Sequence, residues 1–425
     1  MGIKKKAVVA LFCTQMNLIA YVRAKGLWKR KKKRRRSSFA PRLDWDSFYA
    51  IWGDTSTFER AVRMKKSSFL KLVALLTPYV KVDYKMASLR GGAITPEVCV
   101  FITLRYLAGA SYLDIQFYTG ISRSHFYHVK DKTLRAIIQC ETLQIPMFPG
   151  NPDECRRRAD EFTEISYGQA IRNCVGALDG YLLRIETPSK KEAGNVRSYF
   201  SGHYQCHGVN LQGICDASSR FLYLCVTGPG CQGDVTAVQQ EVDGKSIEDL
   251  LGELPNGYVV IGDAAYTASE QLVPIYSGSD AKVKKYDDFN YYASQLRIRI
   301  EMAFGLMQQK WGILKHPIRL SLRKIKYLVG SVARLHNFTI NERLTSQSSA
   351  DELLSEQESI IESSRRNQKQ LYREPTPLDN EGVPIHAPTE LVAPFLSIPG
   401  QSVIREAMVE QVKMKGLTRP LRPLK

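Results

Sequence analysis

Apolar positions change their period part-way along the chain, and the change divides it. From residue 45 to about 145 they recur at steps of three and four, the spacing of helices with one buried face. Residues 57–77 hold one amphipathic stretch. Thr95-Pro96-Glu97 predicts a helix start, with a capping residue, proline in the first turn and an acid beside it. In SYLDIQFYTGISRSHFYHVKDKTLRAII, residues 111–138, a short helix, a tight turn at Thr119-Gly120 and a second helix capped by Ser122 read as helix-turn-helix. Residues 146–167 are polar and proline-bearing and are expected to be a linker.

From Cys174 the texture becomes short apolar runs separated by turns. CVGALDG predicts a strand ending at Asp179, which YLLRIET continues or pairs beside. Residues 209–215 and 221–227 predict a hairpin joined by DASSR. GYVVIGDAAY predicts a buried strand ending at Asp263. Helical spacing then returns. Ile300, Phe304, Met307 and Trp311 form one stripe within 295–311, and Ile325, Leu328, Val332, Leu335 and Phe338 form another within 322–341. Residues 344–373 are polar and expected to be mobile. A proline-rich stretch from Pro375 to Pro399 follows, then a last short helix over 402–415.

A chain of 425 residues can bury a large core and still carry tails, and 44% hydrophobic with 24% charged residues is ordinary for a soluble globular protein. The net charge of +18 changes the picture through its placement. Thirteen Lys/Arg and no acid fall within residues 1–40, leaving +5 (18 less 13) for the remainder. Lys29, Arg30, Lys31, Lys32, Lys33, Arg34, Arg35 and Arg36 repel one another too strongly to fold alone. They point to nuclear import and to contact with a polyanion such as DNA. The nine cysteines are single, odd in number and lack any CxxC pair, which fits reduced thiols in the cytosol or nucleus. Ala7–Val22 is apolar but short and broken by Thr14, Gln15 and Asn17, so no membrane span is expected.

Several residues bear chemistry. If the helix-turn-helix reading holds, Arg123, Ser124, His125, Tyr127, His128 and Lys130 face a groove or phosphates. Two helices meeting at a glycine also occur in cores that touch no DNA. Asp179 and Asp263 end strands, and Glu301 borders the buried face of its helix, one turn after Arg297. Two or three carboxylates suit Mg²⁺, and two ions about 3.5–4 Å apart can activate the attacking oxygen and stabilise the leaving one in phosphodiester cleavage. Against this, each aspartate could simply begin a turn, and an Arg/Glu pair at this spacing is often a solvated salt bridge. Asp216 reads as a structural turn residue. His203, Cys206, His207 and Cys215 lack the second spaced pair of a zinc site and read as the approach to a strand.

Taken together, GALDG, GDAAY, RIRIEMAFG, KWGIL and RLHNF resemble the PIF/Harbinger transposases and their domesticated relatives, within the DDE superfamily. The resemblance covers roughly residues 95–343. It implies an α/β fold, with an RNase H-like mixed-sheet catalytic core and an N-terminal helical domain. The expected division is 1–44 basic arm, 45–150 helix-turn-helix DNA-binding domain, 151–343 catalytic domain and 344–425 tail. It implies Asp179, Asp263 and Glu301 as catalytic, metal-ligating residues, served by two Mg²⁺ for which Mn²⁺ can substitute. Arg297, Tyr266 and Phe304 match residues of the family pattern. Ala265 stands where the family has glycine, and Gly233-Asp234 where it has His-Asp, so the resemblance suggests Asp234 as an auxiliary acid while the missing histidine leaves its role open. The implied activity is metal-dependent cutting and joining of DNA in the nucleus. Its implied partners are transposon-end and target DNA, a Myb-like DNA-binding protein, and further copies of the chain when active. A domesticated, non-catalytic DNA- or protein-binding protein is the alternative, and an RNase H-like nuclease acting on RNA is a second rival.

Overall fold

Helices form where apolar residues recur at helical spacing, and turn residues set their ends. The computed structural model describes residues 42–84, 87, 92–345, 351–360 and 403–420. The apolar run 7–22, the cations Lys29–Arg36 and the proline-rich stretch lie outside the described residues. The first helices are α1 (Trp45–Trp52), α2 (Ser56–Val62) and α3 (Lys66–Leu76). The single amphipathic stretch expected over 57–77 is thus two helices, because Arg63 takes a left-handed conformation (φ 64°) and ends α2. Next come α4 (Pro96–Leu107), α5 (Tyr112–Thr119) and α6 (Arg123–Gln139). Gly120, at φ 64°, closes α5, and the Ser122 hydroxyl accepts from His125 N at 3.4 Å to open α6.

Residues 146–167, expected as a linker, contain a helix instead: α7 (Pro152–Ile165), opened by a capping box between Asn151 and Glu154. Charges crowd its outer side and hide a buried stripe of Cys155, Arg158, Ala159 and Phe162. That stripe packs on the central strand of the sheet, β1 (Cys174–Arg184).

The sheet is mixed. Its other strands are β2 (Phe200–Ser201), β3 (Cys206–Cys215), β4 (Phe221–Pro229), β5 (Val259–Gly262) and β6 (Leu272–Pro274). The order is β2-β3-β1-β5-β6, with β4 also on β3. β1 pairs antiparallel with β3 and parallel with β5. The expectation that β1 ends at Asp179 is corrected: Asp179-Gly180 makes no turn, and the strand runs on to Arg184 with Asp179 opposite Gly213. The β3–β4 hairpin forms as expected, and Asp216 fixes its turn by accepting from Ser218 N, Arg220 N and Arg220 Nε at 3.0, 2.9 and 2.7 Å.

Helices α8 (Asp234–Gln239) and α9 (Ile247–Gly252) join α7 over one face of the sheet. The other face is covered by α10 (Lys284–Lys310), whose Ile300, Phe304 and Met307 are buried as the stripe predicts. Beside it α11 (Leu322–Leu344) docks on the hairpin through RLHNF: the Asn337 amide accepts from Phe221 N and donates to Phe221 O, both at 2.8 Å. One continuous core runs from α2 and α3 through α6 to α10, α11 and the fully buried Trp311. Within the stretch expected to be mobile, 351–360 is helical and buries Leu353 against Leu306 and Ile340. The last helix, α12 (Val403–Met414), packs on the start of α10, where Lys285 donates to Glu406 at 3.1 Å.

Among the described residues no helix is long and apolar enough to cross a membrane, and the eight cysteines are all free.

Candidate active site

Successive residues of a strand point to opposite faces. Ala177 and Leu183 belong to the core beneath α10, whereas Leu178 belongs to the core on the other side. Asp179 therefore points toward α10. Ala177 pairs with Ile261 of the parallel neighbour β5, and two residues beyond that pair stand Asp179 and Asp263. Ile261 also lies in the core beneath α10, so Asp263 leaves its strand on the same side. Glu301 follows the buried Ile300 on α10. Three elements distant in sequence thus bring the three acids to one side of the sheet.

Arg297 stands among them. Its Nη2 lies 2.6 Å from Glu301 Oε1 and its Nη1 4.0 Å from Asp179 Oδ2. Only 14% of the arginine side chain is exposed, so this is a shielded ion pair and not a solvated one. Burial works against the charged guanidinium, but Glu301, Asp179 and Asp263 outweigh it and raise its pKa. Asp179 responds the other way. Burial pushes its carboxyl up to about 7, against the pull of Arg297 and the Gly180 N–H, and the charges of Asp263 and Glu301 add to the rise.

Packing sets the height of α10 over the sheet. The Phe304 ring stacks on Tyr181 with centroids 5.0 Å apart, and a Cβ at Gly213 would meet that ring at 3.0 Å. Glycine opposite Asp179 is what lets the helix sit this close.

Asp234, expected as an auxiliary acid, approaches β1 from the opposite face. A Cβ on Gly180 would lie 2.5 Å from Asp234 Oδ1, and Gly180 points away from Asp179. Fully buried Gln212 donates to Asp234 Oδ1 at 3.0 Å and accepts from the Tyr266 hydroxyl at 2.7 Å. Burial, with Asp179, Asp234 and Asp263 nearby, raises the Tyr266 pKa, so the phenol stays neutral and donates. Sequence reasoning missed Gln212. Its signal is a long polar side chain within the buried run VNLQGIC.

The donor set suits a hard divalent cation, since it offers carboxylate oxygens only, and Arg297 fills the cationic place among them. In the conformation described, no three His, Cys, Asp or Glu side chains of the described residues stand close enough to hold one ion. The rejected zinc set behaves as the approach to β3: His207 faces the Phe200 ring and Thr187, and Cys215 lies in the core.

Residues 178–337 match the family model of the DDE superfamily endonucleases. The match begins one residue before Asp179 and spans all three acids. It supports a DDE transposase-like family, and the mixed α/β sheet is compatible with a DDE nuclease core. No curated protein and no solved structure matches the chain.

The α5–α6 pair precedes the matched residues. Arg123, Ser124 and His128 are exposed at the start of α6, and His125 and Tyr127 are half-buried. The Arg123 guanidinium lies 5.0 Å from the Tyr112 ring centroid. Lys130, expected on the same outer face, is a correction: it is fully buried. It follows the core residue Phe126 by one turn, so its side chain enters the core. Its Nζ rests 2.8 Å from Asp131 Oδ1 and over the rings of Tyr106 and Tyr127.

Proposed function

We propose that the protein is a transposase or transposase-derived DNA endonuclease of the Harbinger kind. The observation that carries this reading is that Asp179, Asp263 and Glu301, from β1, the end of β5 and α10, lie on one side of the sheet, with Arg297 against Glu301 and 4.0 Å from Asp179. Gathering three carboxylates costs electrostatic energy that cations offset, and such costs concentrate where chemistry uses them.

Asp179, Asp263 and Glu301 would hold two Mg²⁺, with Mn²⁺ as a substitute. Bound there, the ions supply Lewis acidity to the attacking and leaving oxygens of a phosphodiester. The chain's own residues hold the geometry. Phe304 seats α10 over Gly213, and the buried Gln212–Tyr266–Asp234 network stiffens β1 and β3 from behind. The nucleophile is water in the cutting step and a DNA 3′-hydroxyl in strand transfer.

DNA would be gripped by Arg123, Ser124 and His128 at the start of α6, used as a recognition helix, with His125 and Tyr127 at its edge. The cations Lys29–Arg36 support nuclear residence and added phosphate contact. Help from a Myb-like partner and from further copies of the chain fits the modest charge of the remainder.

The test is Asp263→Asn. Mg²⁺-dependent nicking of DNA should be lost while thermal stability and DNA binding stay near those of the parent. Nicking at the parental rate would overturn the reading, and would leave the fold to serve as a non-catalytic scaffold.

A further inference from the structure

Three observations meet at Arg297. Its guanidinium touches Glu301 at 2.6 Å and reaches to 4.0 Å from Asp179. Its Nε is buried with no hydrogen-bond partner, so the side chain is held by its charge contacts and not by a full hydrogen-bond set. And in this arrangement no three acids of the described residues are placed to share an ion. A Mg²⁺ ion needs oxygen ligands at about 2.0–2.1 Å in near-octahedral geometry. Taking Glu301 while a permanent positive charge rests 2.6 Å from its Oε1 costs energy, since the two cations repel across a shielded gap.

We infer that Arg297 is a placeholder cation: it offsets the charge of Glu301 and Asp179 and competes with a divalent ion for Glu301. The inference rests on the catalytic reading of the three acids. It makes metal loading a competition within the protein. The charge that offsets the gathered carboxylates also weakens their affinity for metal. Arg297 is thus a positioning residue that sets how much free metal the protein needs.

The experiment is calorimetric titration of Mn²⁺ into the full chain without DNA, which reads binding and not turnover. Arg297→Gln should bind Mn²⁺ on the order of tenfold more tightly than the parent, because the positive charge beside the ion's carboxylates is gone. It should also melt lower than the parent without metal and gain more from Mn²⁺ in a thermal scan. In the double variant R297Q/E301Q the gain in affinity should vanish. Should R297Q fail to fold, R297M keeps the aliphatic stem and carries the same expectation. A variant that binds Mn²⁺ no better than a parent that does bind it overturns the placeholder role and leaves the catalytic reading standing. Absence of binding in parent and variants alike overturns both.

Discussion

The Gln212 amide donates to Asp234 Oδ1 at 3.0 Å, so a residue of β3 and the first residue of α8 are joined directly behind the strand that bears Asp179. The same side chain accepts from Tyr266, which follows Asp263 by one turn of loop. Replacing Gln212 with leucine takes a partner from buried Tyr266, from buried Asn210 and from half-buried Asp234, at about 1–3 kcal/mol. Gln212→Leu should therefore lower the melting temperature by several degrees and depress nicking as well. Tyr266→Phe, which removes one partner only, should cost less. Equal stability of Q212L and the parent, by thermal denaturation, would show that the network holds nothing in place.

The helix pair α5–α6 separates two cations that look alike in sequence. Arg123 is exposed, while Lys130 is buried beside Asp131 and two tyrosine rings. Arg123→Ala should weaken DNA binding and lower the salt slope by about one unit, with stability changed within about 0.5 kcal/mol. Lys130→Ala should do the reverse, destabilising the fold by leaving Asp131 short of a partner and the rings unfilled. Salt-dependent binding isotherms and melting curves of both variants check this. A stable K130A that fails to bind DNA would restore Lys130 to the DNA-facing set.

Much of this is legible in the sequence, for a physical reason. Burial imposes periodicity, so the stripe Ile300–Phe304–Met307–Trp311, the β3–β4 hairpin and the strand before Asp263 all showed in the pattern. What pattern cannot show is which neighbour satisfies a polar group. Asp179-Gly180 looks like a turn in one dimension and becomes mid-strand because β3 pairs across it. The polar stretch 146–167 hid α7 because charges outnumber its buried stripe. Lys130 looked outward because lysine is seldom buried, yet its place one turn after Phe126 aimed it inward. That Asp179 and Asp263 leave neighbouring strands on one side depends on parallel register, which no local spacing records.

His336, in RLHNF, is buried with Nε2 2.8 Å from Ser219 O, and burial lowers its pKa to about 4. A depressed histidine adds stability that is present above the unfolded value near 6.5 and is lost as pH falls through 4. Thermal stability should therefore decline between pH 6.5 and 4, by a contribution on the order of 3 kcal/mol if this group acted alone. His336→Gln should flatten that part of the pH profile while lowering stability at neutral pH. An unchanged acid limb in H336Q would assign the decline to other groups.

The central claim is that Asp179, Asp263 and Glu301 form one metal site, and iron-directed backbone cleavage tests it most directly. Fe²⁺ is loaded in place of Mg²⁺, and ascorbate with peroxide then generates radicals that cut the chain beside the bound ion. Cuts should cluster near residues 179, 263 and 301, be suppressed by excess Mg²⁺ and be absent in Asp263→Asn. Cuts confined to one of these segments, or falling elsewhere and indifferent to Mg²⁺, would contradict it.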